Sequence, residues 1–165
     1  MVELLGGLLI ASAISGVVPV VNAELLVLAA AATMPLAGLP LVAAAATGGQ
    51  MAAKTTLFAV ARWVPSKLPK KARSALDRAS GRVATHRRGP ASLVFASAAS
   101  GFPPFYGVSL ACGALGVRLR TFVIMGCAGR ALRFGALAWI GGRFGGHALE
   151  FFTASTAAAV IGGGP

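Results

Sequence analysis

Residues 121 to 142, Thr-Phe-Val-Ile-Met-Gly-Cys-Ala-Gly-Arg-Ala-Leu-Arg-Phe-Gly-Ala-Leu-Ala-Trp-Ile-Gly-Gly, form an apolar stretch with Arg130 and Arg133 near its middle. At about 1.5 Å of rise per residue, roughly 20 helical residues cross a hydrocarbon core about 30 Å thick. Both guanidiniums would then sit far from either headgroup layer. An arginine at that depth costs on the order of 2.5 to 3.5 kcal/mol on insertion scales, and a spacing of three puts both on one helix face. That face must look into protein or a wet cavity, not lipid.

The rest of the chain has the same character. Its 165 residues are 56% hydrophobic and only 12% charged, with 22 Gly and 9 Pro, and the mean hydropathy is +0.79. Soluble domains average about 25% charged residues, so the composition predicts an all-α integral membrane protein. The net charge of +11 would suggest nucleic acid in a soluble protein. Here most of the basic residues lie between 62 and 88, flanked by apolar blocks and without interleaved aromatics. No nucleic-acid partner is expected, and the positive-inside rule makes residues 62–88 a cytoplasmic loop. Within it, 70–88 reads as a surface helix lying on anionic headgroups. Cys112 and Cys127 have no ligand pattern around them and read as two buried thiols. A cleaved signal peptide is not expected, because no basic residue precedes the N-terminal apolar run and the pattern continues past any cleavage point.

Residues 4 to 23 are uncharged but broken at Ser15-Gly16-Val17-Val18-Pro19, since proline removes a donor and clashes with the preceding turn. A second short apolar helix follows over 23 to 33. Two half-length helices around a Gly/Pro break describe a re-entrant hairpin, with one kinked spanning helix as the alternative. A full span then reaches Arg62 and Trp63, with Pro40 tolerated in its first turn. Residues 89 to 117 repeat the plan, broken at Ser100-Gly101-Phe102-Pro103-Pro104, so that Ser-Gly-x-x-Pro occurs at 15 to 19 and again at 100 to 104. Gly/Pro-interrupted segments in corresponding positions of two halves point to an inverted repeat with a site at the midplane.

The expected architecture is one membrane domain over 1–165, with two opposed re-entrant hairpins and about three membrane helices. Residues 1–64 form the first half, 65–89 the basic loop or surface helix, 90–143 the second half and 144–165 a last membrane helix. With the loop in the cytoplasm, one hairpin enters from each side and their tips, Gly16 and Pro19 against Gly101, Pro103 and Pro104, meet as a gate. His147 and Glu150, one turn apart, read as an interfacial polar pair. The spacing Gly142-x-x-Gly145-Gly146 fits close helix packing, within one chain or between copies in a homo-oligomer.

No catalytic set is visible: the two histidines lie at 86 and 147, and there is no P-loop, G-x-S-x-G or H-E-x-x-H. No enzyme activity, metal or cofactor is expected. What stands out is a sparse set of ionisable groups in apolar surroundings, Glu24, Lys54, Arg62, Arg130 and Arg133. Glu24 could pair structurally with Arg130 or Arg133. One acid does not neutralise that many cations, however, and the surplus suits a substrate-binding site for an anion such as a lipid phosphate.

These residues resemble the DedA superfamily, also called the VTT or SNARE-associated Golgi protein domain, most closely its small YqaA-like branch. The resemblance covers roughly residues 12 to 143. Pro19 and Glu24 bracket a segment similar to the family's Pro-x-x-x-x-Glu. Residues 49 to 62 lie over its G-x-x-x-G-D-x-x-x-Y-x-x-G-R, with Gly49 and Arg62 retained and Ala53, Lys54, Phe58 and Ala61 in place of Gly, Asp, Tyr and Gly. Gly129-Arg130-Ala131-Leu132-Arg133-Phe134 is similar to the branch's Gly-Lys-Ala-Leu-Arg-Tyr run. Phe105 and Tyr106 stand where relatives carry Arg or Asp. The resemblance implies a multi-pass protein of the bacterial cytoplasmic membrane that flips or scrambles a polyprenyl phosphate or phospholipid. Proton coupling is suspected in parts of the family, and Glu24 is the one intramembrane carboxylate here that could carry it. A small-anion transporter or channel, and a non-transporting membrane scaffold, are the alternatives.

Overall fold

The computed structural model describes residues 2–17, 22–63 and 89–161, with side chains as far as 145. Pro19, expected at a gate, and the basic segment 65–88 lie outside the described residues, as do the side chains of His147 and Glu150. Everything described is helix or turn.

The breaks fall where proline and glycine dictate. Helix α1, Val2–Val17, stops just before the Val18-Pro19 step. Helix α2, Ala23–Ala32, starts at an Asn22 N-cap whose side chain accepts the Glu24 N–H at 2.9 Å, and Glu24 in that first turn faces the positive end of the helix dipole. Met34-Pro35 ends α2, and one 3-10 turn, Leu36–Gly38, leads into α3, Leu39–Trp63, with Pro40 in its first turn. In the second half α4, Gly89–Ser100, ends at Gly101, whose φ of 82° is the left-handed conformation that stops a helix. Helix α5, Phe105–Ala114, ends in a Schellman turn at Gly116, where the Gly116 and Val117 N–H groups return to Gly113 and Cys112. Helix α6, Leu119–Ile161, is the longest.

Two stretches, Leu36–Trp63 and Leu119–Gly145, are long and apolar enough to cross a membrane. Outward-facing residues are apolar too: Leu25 is 63% exposed and Leu132 60%. A helix apolar all round is one that hydrocarbon or protein must cover.

Close approaches at small residues give the packing. Gly49 of α3 lies against the backbone of Leu9 and Ala13 on α1, and Gly129 of α6 lies against Phe95 and Ala98 on α4. The second short helix of each half crosses over: α2 meets α6 where Gly141 touches Leu28, and α5 meets α3 where Gly113 touches Phe58 and Ala61. Helices α3 and α6 are antiparallel, with Met51 beside Gly126 and Leu39 beside Gly142. The α1–α2 pair therefore opens toward the start of α3, the α4–α5 pair toward its end, and both breaks lie between. Two apolar clusters flank them, one around Leu8, Val27, Val42 and Phe134, the other around the stacked rings of Phe58, Phe122 and Phe105.

The expectation of a separate last helix over 144–165 is corrected: α6 continues without interruption from Leu119 to Ile161. The glycines along this stretch serve close packing, as their spacing suggested. Gly141 approaches Leu28 O, Gly142 approaches the Leu39 side chain and Gly145 approaches Ala32, all contacts within this chain.

Candidate functional site

The site forms where the four short-helix ends converge between α3 and α6. Lys54, 6% exposed in the middle of α3, donates from Nζ to the Gly16 carbonyl oxygen at 2.6 Å. That carbonyl belongs to the last turn of α1, the negative end of its dipole. The ammonium also lies 5.2 Å from the centre of the Tyr106 ring on α5. One turn back along α3, Gln50 donates from Nε2 to Ser15 Oγ at 2.6 Å, and Ser15 donates to the Ser12 carbonyl at 2.8 Å.

Arg133 serves the second break as Lys54 serves the first. Its guanidinium pairs with the Glu24 carboxylate, reaches Ala99 O at the end of α4 through a long 3.5 Å contact and lies against Gly101, whose φ of 82° disfavours any other residue. One residue thereby ties the start of α2 to the end of α4. The Ser97 hydroxyl donates to Pro103 O at 2.5 Å, and Pro104 is the residue that caps α5.

Arg130 is different. It is 9% exposed and sits over Phe105 at 5.0 Å and Phe134 at 5.6 Å from the ring centres. Its Nε is buried with no hydrogen-bond partner among the described residues. It is close enough to Lys54, Arg133 and Glu24 to feel each of their charges. Cation–π contacts of this kind are worth about 0.5 to 2 kcal/mol, far less than water would supply to a guanidinium.

The structure thus brings together Glu24, Lys54, Arg130 and Arg133, with Gly16 and Gly101 beside them, and leaves Arg62 elsewhere. Arg62 is exposed near the end of α3, about 12 Å along the helix from Lys54, and donates to Val117 O at 3.0 Å in the α5–α6 turn. It ties two helix ends together. Among the described residues no group of His, Cys, Asp or Glu could hold a metal.

Sequence reasoning named Lys54 but missed Thr47 and Gln50, which lie with it in one stripe at i, i+3 and i+7, all buried, a pattern readable as polar residues at helical spacing in an apolar run. Phe105 and Tyr106, singled out in the sequence only through the family resemblance, lie beside the two buried cations Arg130 and Lys54, a role that no local pattern announces. The repeat is also longer than Ser-Gly-x-x-Pro. Residues 11–19 and 96–104 both read Ala-Ser-Ala-x-Ser-Gly-x-x-Pro, and its first serines, Ser12 and Ser97, are both fully buried.

No protein-family model, curated protein or solved structure matches the chain.

Proposed function

We propose that this chain is a transporter of the DedA type in the bacterial cytoplasmic membrane, a flippase or scramblase that moves an anionic lipid such as a polyprenyl phosphate or phospholipid. The observation that carries this reading is Arg130, a guanidinium nine-tenths buried in an apolar helix, with aromatic faces beside it and an unpartnered Nε. Lys54 and Arg133 have committed contacts; Arg130 is the cation with hydrogen-bonding capacity to spare. A phosphate fits that capacity, because charge-assisted N–H···O bonds to an oxyanion are the strong ones.

Two features support the lipid and its route. The paired breaks, the nine-residue repeat and the exchanged packing of α2 and α5 fit two re-entrant hairpins related by an inverted repeat, with the headgroup passing between their tips. An apolar groove of about 470 Å³ between α3 and α6, lined by Leu39, Ala43, Ala131, Gly135 and Trp139, begins one residue from Arg130 and suits a hydrocarbon tail left in the bilayer. The basic segment, leaving from the end that carries Arg62, Arg118 and Arg120, faces the cytoplasm in this reading.

The test is Arg130→Met in sealed proteoliposomes carrying labelled lipid. Translocation should fall by at least about tenfold, while circular dichroism shows the helical content of the parent. Normal lipid movement would sink the assignment. Ion flux without lipid movement would favour a small-anion channel. Function lost only on neutralising residues 67 to 88 would favour a scaffold.

A further inference from the structure

Three buried side-chain atoms lack a hydrogen-bond partner among the described residues, and they come one each from α1, α3 and α6: Ser12 Oγ, Thr47 Oγ1 and Arg130 Nε. Helix register gathers them. On α1 the face against α3 is marked by Leu9, Ala13 and Gly16, which meet Gly49, Gln50 and Ala53; Ser12 lies within that face, one turn before Gly16. On α3 the stripe of Thr47, Gln50 and Lys54 turns toward the same edge, since Gln50 reaches Ser15 and Lys54 reaches Gly16. The antiparallel pairing of α3 with α6, Met51 beside Gly126 and Leu39 beside Gly142, puts Thr47 at the level of Arg130.

We infer that the centre of the bundle is a water-binding compartment, with ordered water held by the Ser12 and Thr47 hydroxyls and by Arg130 Nε–H. No direct hydrogen bond joins the three groups, although their chemistry would allow one, and a bridging water is complementary to all of them. A guanidinium Nε–H can only donate, whereas each hydroxyl both donates and accepts. A water accepts from the first and donates to the second, and buried water is stable where it finds two to four polar partners. Ser15, Gln50, Lys54 and the Gly16 carbonyl extend the same polar seam about 10 Å along α3. Such a compartment gives a hydrophilic group a solvated place between the two breaks. The inference stands whether or not Arg130 binds a lipid phosphate.

The first measurement uses the unmodified full chain in bilayers, by water-edited solid-state NMR. Polarisation from water should reach the Thr47 side chain and the Arg130 guanidinium nearly as fast as it reaches exposed Arg118. Build-up as slow as at buried Val42 or Phe134 overturns the inference. The second uses Ser12→Ala and Thr47→Val, which remove a hydroxyl and little volume. A hydroxyl holding water contributes to the fold, so each change should lower the thermal midpoint by about 3 °C. A midpoint that rises identifies an unpaired hydroxyl in a dry core, which contradicts the inference. A dry centre in a chain that still moves lipid would overturn the water compartment and leave the transport reading intact.

Discussion

Arg133 on α6 pairs with Glu24 at the start of α2 across 109 residues of chain, and the same guanidinium lies against Gly101 at the other break. The pair is half-open, with side-chain exposures of 20% and 40%, so it is solvated in part and tunable by mutation. It also fixes which arginine the carboxylate serves.

Charge exchange tests that pairing. Glu24→Arg or Arg133→Glu alone puts like charges together and should lower the thermal midpoint. The double exchange should recover part of the loss, with a coupling of about 0.5 to 3 kcal/mol. Recovery is incomplete because an arginine in the first turn of α2 opposes the helix dipole. Absence of any recovery in melts of the four proteins would remove the pair from the account of the fold.

Neighbouring glycines on α3 should respond with opposite signs. Gly49 touches the α1 backbone, so Gly49→Ala must push the two helices apart, at about 1 to 3 kcal/mol. Gly48 has open space where a methyl would go, and Gly48→Ala should stabilise by about 0.5 to 1 kcal/mol through helix propensity alone. Thermal unfolding of both in one detergent decides it, and equal effects would count against the close α1–α3 contact.

Arg62→Ala should leave lipid translocation within about twofold of the parent while removing one hydrogen bond to Val117 O, a loss of about 0.5 to 1.5 kcal/mol. Paired transport assays and melts separate the two roles. A transport loss as deep as that of Arg130→Met would return Arg62 to the site.

The helices and their interruptions were legible from residues alone, and for local reasons. Proline at 19, 35, 103 and 104 and glycine at 101 act on the backbone within a turn of themselves. The glycines at 142 and 145 were read as close-packing positions and do admit neighbouring helices, Leu39 beside Gly142 and Ala32 beside Gly145, but which helix packs there was not written in the spacing. Of the five ionisable residues singled out, four meet in space; the fifth, Arg62, differs in its place along α3 rather than in kind.

By itself, then, the amino-acid order determined that the described residues are helical, that two stretches are apolar enough to cross a membrane, and that cations lie inside apolar sequence beside two matched Gly/Pro motifs. Chain length, hydropathy and proline sterics act over a few residues and need no partner. Only the tertiary structure decided that Glu24 serves Arg133, that Lys54 caps the end of α1, and that Arg130 Nε finds no protein partner among the described residues. Those outcomes depend on the register of antiparallel helices and on aromatic rings from a third element. A shift of one residue along a helix turns a side chain by about 100°, enough to exchange the paired arginine for the free one.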